Sequence, residues 1–309
     1  MEKILKGIDI SEFNGDIDFK KVKNEVDYIY IRATFGRFGK DKKFDEYVMK
    51  ALENEIPVGF YYYSYATDTE KAKEEVNFFL DTIKPYKEKI TFPAVIDMED
   101  SDKYKEKNGN PKKEELVKIC KIACERIVEE KLIPCIYACE DWFLHKLDSE
   151  DLKDFQKWVA YWNTDESKID KTKYTMWQYS SKGKINGIKT NVDLDYSFVD
   201  YIKLKEYVEN VQKINFIKSK TLFSDIVFQF MSCYKWGSDL INKMYKGLTS
   251  GDKLVYKENL TLEEKKEEIR KFFGYEKKTI EFLSVFIYSD DVFTILYNTI
   301  CGKNFEIKD

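Results

Sequence analysis

Asp9, Asp97, Glu99 and Asp193 each follow a short apolar run, in GIDIS, PAVIDMED and NVDLD. If Phe92–Met98 is a buried strand, side chains alternate between its faces, so Asp97 and Glu99 look one way while Met98 and Asp100 look the other. Two carboxylates beside apolar residues relieve their repulsion when one keeps its proton and its pKa rises, and that makes a general acid. The competing reading is a strand that has already ended in a solvated acidic loop. Three acid-terminated strands, with their acids on one carboxyl face, favour a carboxylate-based active site. Asp100 and Asp195 lie next to the same motifs and are expected to be solvated or structural.

Other chemistries are poorly supplied. The chain has one histidine, His145 in DWFLHKLD, which excludes a HExxH zinc centre and carries no nucleophile motif; a structural role is expected. GRFG at 36–39 lacks the spacing and the helix of a dinucleotide loop, and no organic cofactor is indicated. Of six cysteines, Cys120 with Cys124 and Cys135 with Cys139 are spaced too loosely for a structural zinc knuckle. They read, with Cys233 and Cys301, as reduced core residues, and no metal is expected. Carboxylates, tyrosines and tryptophans remain, the equipment of a glycoside hydrolase: acids to protonate the leaving oxygen and steady an oxocarbenium ion, rings to hold sugars.

The elements that must position these acids follow from periodicity. Strand-like runs lie at Ile4–Ile10, Tyr28–Ala33, Pro57–Tyr65, Phe92–Met98, Ile133–Tyr137 and Trp158–Trp162. Helix-periodic segments at Phe19–Val26, Phe44–Glu55, Thr69–Ile83, Lys112–Glu130 and Ser149–Phe155 alternate with them, which predicts a parallel sheet with helices outside. After Trp162 the alternation stops, and 174–181 and 186–197 read as plain strands. The expectation is an α/β fold: an irregular (β/α) barrel of about eight strands, five β/α units then plain strands, with functional groups at its carboxyl face. Residues 1–205 form this unit, 206–218 a linker, and 219–309 a small all-α domain with helices at Thr221–Lys246, Leu262–Phe273 and Lys277–Ile300. Thr261 with Glu264 forms a capping box, and Gly274 and Gly302 are placed to end helices. The aromatics of this domain, including Phe223, Phe228, Phe230, Tyr234, Trp236, Phe272, Phe273, Phe282 and Phe286, exceed what three short helices need, so some are expected to face a partner unless all are core.

A net charge of −4 over 309 residues provides no broad basic field for a nucleic-acid partner. No apolar run approaches the roughly 20 residues of a membrane span, so no membrane partner is expected. MEKILKGIDIS lacks the apolar stretch of a signal peptide, so synthesis as a cytosolic protein is expected.

GIDISEFNG with IDF at 17–19, YIRAT at 30–34, GFYYYSYA at 59–66, VIDMED at 95–100, WVAYWN at 158–163, WQYSS at 177–181 and GIKTNVDLDY at 187–196 together resemble the successive motifs of the glycoside hydrolase family 25 lysozymes. The resemblance covers residues 5 to about 200. It implies hydrolysis of the β-1,4 bond between N-acetylmuramic acid and N-acetylglucosamine in peptidoglycan, with Glu99 as proton donor and Asp9, Asp97 and Asp193 lining the same cleft. Tyr61, Tyr63, Tyr137, Tyr161 and Trp177 are candidates for its sugar-binding walls. Phe13 and Asn14 stand where the family usually carries tryptophan and glutamine, and Tyr62 or Tyr63 where it often has histidine. A wall-degrading enzyme with no signal peptide and an added domain is similar to a phage endolysin, its helical domain holding a wall polymer or, alternatively, joining two copies. A non-catalytic carbohydrate-binding barrel is the other class of function considered.

Overall fold

Strand β1 (Leu5–Ile10) pairs in parallel with β2 (Tyr28–Phe35) and antiparallel with β9 (Val192–Ser197), and these two pairings close the sheet on itself. Between them run β4 (Val58–Tyr63), β5 (Ile90–Asp97), β6 (Pro134–Cys139), β7 (Gln156–Ala160) and β8 (Met176–Gly183), each parallel to its predecessor from β2 onward, while β3 (Gly39–Lys40) is a short hairpin arm on β2. The barrel therefore has eight strands, of which β9 alone runs backwards. This computed structural model describes residues 4–37, 39–163, 165–232 and 236–303.

Helices α1 (Phe19–Val22), α2 (Phe44–Glu53), α3 (Thr69–Ile83), α4 (Tyr104–Lys107), α5 (Lys113–Glu129) and α6 (Glu140–His145) fill the connections. The Asp68 carboxylate accepts the Lys71 N–H at 2.9 Å and starts α3. Three expectations change here. Helix α1 stops at Val22, Ser149–Phe155 shrinks to a single 3-10 turn at Glu150–Leu152, and α6 was not foreseen because its six residues are too few for periodicity to register. One core lies between barrel and helices, and a second fills the barrel with Leu5, Tyr28, Tyr30, Phe92, Val95, Trp158 and Met176 among others.

The interior is packed by large-against-small pairs. Gly7 sits opposite Tyr28 and Gly59 opposite Tyr30 in the strand register. A Cβ on Gly7 would lie 2.2 Å from the Tyr28 ring, and one on Gly59 2.4 Å from the Tyr30 ring. The rings so admitted stack on Phe92 at 4.2 Å (Tyr28) and approach Trp158 at 4.6 Å (Tyr30), closing the barrel beneath its carboxyl face.

The chain divides into two compact units, Met1–Ile202 and Lys203–Asp309. In the second unit, segment 206–218, read as a linker, lies within one continuous helix, α7 (Tyr201–Thr221). Two of the three helices expected there are broken: Thr221–Lys246 becomes α8 (Asp225–Ser232) and α9 (Gly237–Thr249), and Lys277–Ile300 becomes α11 (Lys277–Ser284) and α12 (Ser289–Ile300). The Thr261–Glu264 box opens α10 (Leu262–Phe273), and Gly274 ends it at φ 66°. Phe223, Phe228, Phe273 and Phe286 are buried in this unit's own core, with Phe230 stacked on Phe282 at 4.5 Å, so these rings serve packing; Trp236 stays half-exposed, and Tyr234 and Cys233 lie outside the described residues.

Gly7→Ala is expected to destabilise the barrel by about 3 kcal/mol, the upper range for overpacking a rigid interior. Urea unfolding followed by tryptophan fluorescence measures it, and a change below about 0.5 kcal/mol would mean that the ring is free to move aside.

Candidate active site

Period-two alternation decides what faces the barrel's interior. On β1 the inward series ends in Asp9, on β2 in Arg32, on β4 in Tyr61 and Tyr63, on β5 in Asp97, on β6 in Tyr137, on β7 in Trp158 and on β8 in Gln178. These residues, with Val95, Glu99 and Asp193, line one cavity of about 200 Å³. The four acids named from the sequence thus converge. Glu99 lies two residues beyond the end of β5, in a loop instead of on the strand, yet reaches the same cavity as Asp97 while Met98 between them is fully buried in the core.

Asp193 arrives by a different route from the one expected. It is the second residue of β9, near the strand's beginning. Because β9 is antiparallel to its neighbours, its amino end lies at the face where their carboxyl ends lie, and Asp193 pairs directly with Asp9 in the register. Asp195, two residues on, points the same way and one layer deeper, opposite Gly7. It was expected to be solvated or structural; it is fully buried, neither carboxylate oxygen meets a well-formed hydrogen bond, and the Trp158 indole N–H is the one donor that favours its charge. Asp100 is structural: its carboxylate accepts the backbone N–H groups of Lys105 at 2.7 Å and Glu106 at 2.9 Å.

Burial raises the pKa of every acid in the cavity. Asp9 is pushed well up by burial and then by Asp193, against hydrogen bonds from Gln178 and Tyr61. Asp97 is likewise pushed well up by burial and by Glu99, with Lys105 and Arg32 opposing, and its Oδ1 is sealed without a partner. Glu99 rises through burial, with Asp102 and Asp193 adding to it, while Ser101 and Lys105 lower it. Asp193 is raised to about 6 by burial, and Asp195 well above the carboxylate range by burial and by Asp9.

Gln178 organises the polar wall and was not named from the sequence. Its Nε2 donates to Asp9 Oδ2 at 2.9 Å, and its Oε1 accepts from Tyr137 Oη at 2.9 Å and Trp162 Nε1 at 3.0 Å. Arg32 was missed too: its guanidinium pairs with buried Asp41 at 3.0 Å and Glu12 at 3.5 Å, and the Phe13 ring lies 4.9 Å from it. Period-two spacing within WQYSS and YIRAT carried the signal for both, since the inward positions are Gln178 and Arg32.

The aromatic candidates divide. Tyr61, Tyr63 and Tyr137 line the cavity. Trp177 does not: at 1% exposure it points outward into the core, its indole donating to the Tyr161 carbonyl at 2.7 Å. Tyr161 packs on that core as well and is absent from the cavity wall. Both follow from the phase of the strand, which turns Trp158 and Gln178 inward. Rings free to meet a ligand are Trp162, 66% exposed with its N–H held by Gln178, and Phe13, 75% exposed. Asn14 is spent internally, accepting from Ser11 N at 2.9 Å and donating to Thr190 Oγ1 and the Asn191 carbonyl at 3.2 Å. Tyr62 is core and Tyr63 is the cavity residue of that pair. His145 is exposed, 3.7 Å from Asp141. Cys120, Cys124 and Cys135 are buried, and among the described residues no three or more His, Cys, Asp or Glu side chains are arranged so that they could hold a metal ion.

Residues 8–188, more than half the chain, match the family model for glycosyl hydrolases family 25. The autolytic lysozyme of Clostridium acetobutylicum is 28% identical over 194 residues, 62% of this chain and 55% of that protein. The modular autolysin LytC of Streptococcus pneumoniae, solved with a synthetic peptidoglycan ligand, superposes with a TM-score of 0.57 at 25% identity over 64% of this chain and 47% of that one. A family 25 glycosyl hydrolase from Bacillus anthracis gives 0.53 at 25% identity over 65% and 92%. This chain thus spans about half the length of the clostridial and pneumococcal relatives. An eight-stranded barrel with one reversed strand, four acids in one cavity and a family match over residues 8–188, which take in seven of the eight strands and three of the four acids, agree: the chain belongs to glycosyl hydrolases family 25.

Proposed function

We propose that this protein is a peptidoglycan hydrolase, a muramidase that cleaves the β-1,4 bond between N-acetylmuramic acid and N-acetylglucosamine, with Glu99 as proton donor. The convergence of Asp9, Asp97, Glu99 and Asp193 on a single cavity carries this reading. The peptidoglycan ligand of the pneumococcal autolysin and the family of the chain support the substrate. Glu99 sits in a loop at the edge of the barrel, where a leaving oxygen can reach it, and burial raises its pKa, which favours the protonated form. Asp97 or Asp193 handles the opposite face, by stabilising the oxocarbenium ion, by attacking it, or by orienting the substrate's own acetamido group. Tyr61, Tyr63, Tyr137 and Trp162 supply ring and hydroxyl surface for the sugars. A barrel that binds glycan without cutting it would have no use for four acids held against their repulsion.

The second unit is proposed as the wall-binding module of a phage endolysin, synthesised in the host cytoplasm and released at lysis. An open groove of about 410 Å³ in this unit is lined by Lys246, Lys253, Phe272 and Phe273, by Lys243, which is paired with Asp239, and by one acid, Asp252; its cationic excess supports a wall-polymer ligand with anionic groups, and tethering would raise the enzyme's local concentration. A rival reading, self-association, is favoured by the exposed Val285, Ile287 and Tyr288 between α11 and α12.

Three outcomes are expected. Glu99→Gln keeps the fold and loses at least about a hundredfold in turnover on purified walls, the scale of a lost general acid; activity within a few-fold of the parent removes Glu99 from the role. The acids also make stability depend on pH. Groups whose folded pKa is raised stabilise below their unfolded values and lose that contribution as pH rises through the folded ones. Asp193 (3.8 to about 6) and Glu75 on α3 (4.5 to about 7) set the window, so Tm should fall as pH climbs from about 4 to about 7, measured by calorimetry; a Tm that rises over this interval contradicts the raised values. Finally, the 203–309 unit, labelled and mixed with walls, should co-sediment with them as a monomer, whereas a soluble dimer supports self-association.

A further inference from the structure

Lys105 is 2% exposed, and nothing in YKEKNGN, which reads as a solvated charged turn, announces it. A lysine rarely goes inside unless its charge is used, because desolvating an ammonium costs several kcal/mol (order of magnitude) before any partner compensates it. Its Nζ donates to the Glu99 carbonyl at 2.7 Å and to the Ser64 carbonyl just past β4. Both acceptors are backbone oxygens; the carboxylates act on it from further away.

Those carboxylates come from every side. Asp97 at the end of β5, Glu75 on α3 and Asp100 in the Glu99 loop favour its charge, as does the Cys120 thiol of α5, while burial opposes it. Across the cavity stand Asp9, Asp193 and Arg32, and Asp102 lies in the same loop as Glu99. Ser64 is the anchor: its N–H donates to the Asp97 carbonyl at 3.0 Å and its Oγ to Glu75 Oε2 at 2.7 Å. The Asp100 carboxylate meanwhile caps the backbone of Lys105 and Glu106, and Lys103 turns the chain with a left-handed φ of 59°. Loop 98–106 is thereby folded back on itself, and the same residue that Asp100 caps reaches round to grip the Glu99 backbone.

We propose that Lys105 is a positioning residue for the reaction: its buried ammonium locks the loop that carries Glu99 onto the end of β4 and lays a positive charge beneath the Asp97–Glu99 pair. This rests on the reading of Glu99 as proton donor. The tether fixes where the acid's proton is presented. The charge favours the ionised form of both acids, so it tempers the rise that burial imposes on each. Removing the charge alone should carry both ionisations to higher pH.

Lys105→Gln retains amide donors for the two carbonyls without the charge, and Lys105→Met removes both. In the full-length protein acting on purified walls, the pH profile of kcat/KM for Lys105→Gln should move as a whole to higher pH by about one unit. Lys105→Met should show the same displacement with a further tenfold or greater loss of kcat at its own optimum. Profiles superimposable on the parent's, whatever the change in Tm, would reduce Lys105 to a packing residue and overturn the proposal. Should both neutral variants fail to fold, Lys105→Arg decides: retention of the parent profile supports the role of charge, and a displaced profile opposes it. Carboxyl ¹³C NMR titration of Asp97 and Glu99 in parent and Lys105→Gln reads the charge effect without catalysis. A parent that cleaves nothing while these titrations still shift would defeat the muramidase reading and leave the charge effect of Lys105 standing.

Discussion

Asp9 and Asp193 face one another across a strand pair inside a barrel, and their repulsion is the constraint that the rest of the site answers. Taking the roughly 5 Å Cα spacing of an antiparallel pair as the scale, two unit charges in a medium of effective dielectric near 20 repel by about 3 kcal/mol. Asp97 and Glu99 add a second such pair, and Asp195 a fifth acid below. Such a group cannot be fully ionised together, so at neutral pH it holds protons that isolated carboxylates would have lost. An acid with a proton to give, beside one that has none, is the state that glycosidic cleavage needs. What the fold contributes is the water-poor enclosure that makes the sharing obligatory.

The neighbours of the acids are chosen to limit that effect without cancelling it. Gln178 gives Asp9 a neutral donor, fixed by two further hydrogen bonds on its own carbonyl, so it stabilises one ionised form without neutralising the cluster. Arg32, the cation nearest to hand on β2, is committed to Asp41 and Glu12, which keeps it from forming a direct pair with Asp97. Had Arg32 been free to bridge the acids, it would lower the pKa of Asp97 further than it does. Asp41 in turn is held by the Glu12 and Lys43 N–H groups, so the arginine's restraint is built into the loop after β1.

Much of this was legible before any coordinates. The strand-helix alternation gave the barrel, and apolar runs ending in acids marked Asp9, Asp97, Glu99 and Asp193, because burial at a strand end is a local property of the chain. What stayed hidden depends on direction and phase. Asp193 lies at the start of its strand, and only the reversed course of β9 brings it to the active face; nothing within NVDLDYS declares that reversal. Trp177 was misplaced because an aromatic in a sugar hydrolase invites a binding role, although the strand's own phase turns it outward and Gln178 inward. Lys105 was invisible for a stronger reason: its burial comes from a loop folding back, with no periodicity to betray it. The second unit's chain is non-helical at Trp236 and breaks after Ser284, where short apolar runs permit either a continuous helix or a turn.

Asp195 brings the constraint to its limit. It is sealed in the barrel with no well-formed hydrogen bond on either oxygen, the Trp158 indole being the one neighbour that favours its charge and Asp9 and Asp193 opposing it, and an ionised group there is very costly. Stability alone would place an apolar side chain there, as at Leu5 and Met176 in the same interior. A neutral carboxyl beneath Asp9 and Asp193 differs from leucine in one respect that matters to them: it offers a dipole and a proton from a position that is itself fully buried. The large rings locked over Gly7 and Gly59 provide the rigid packing that lets the barrel carry this cost. The aromatic floor and the acidic mouth are therefore one arrangement, since loosening the first would admit water and return the acids to ordinary carboxylates.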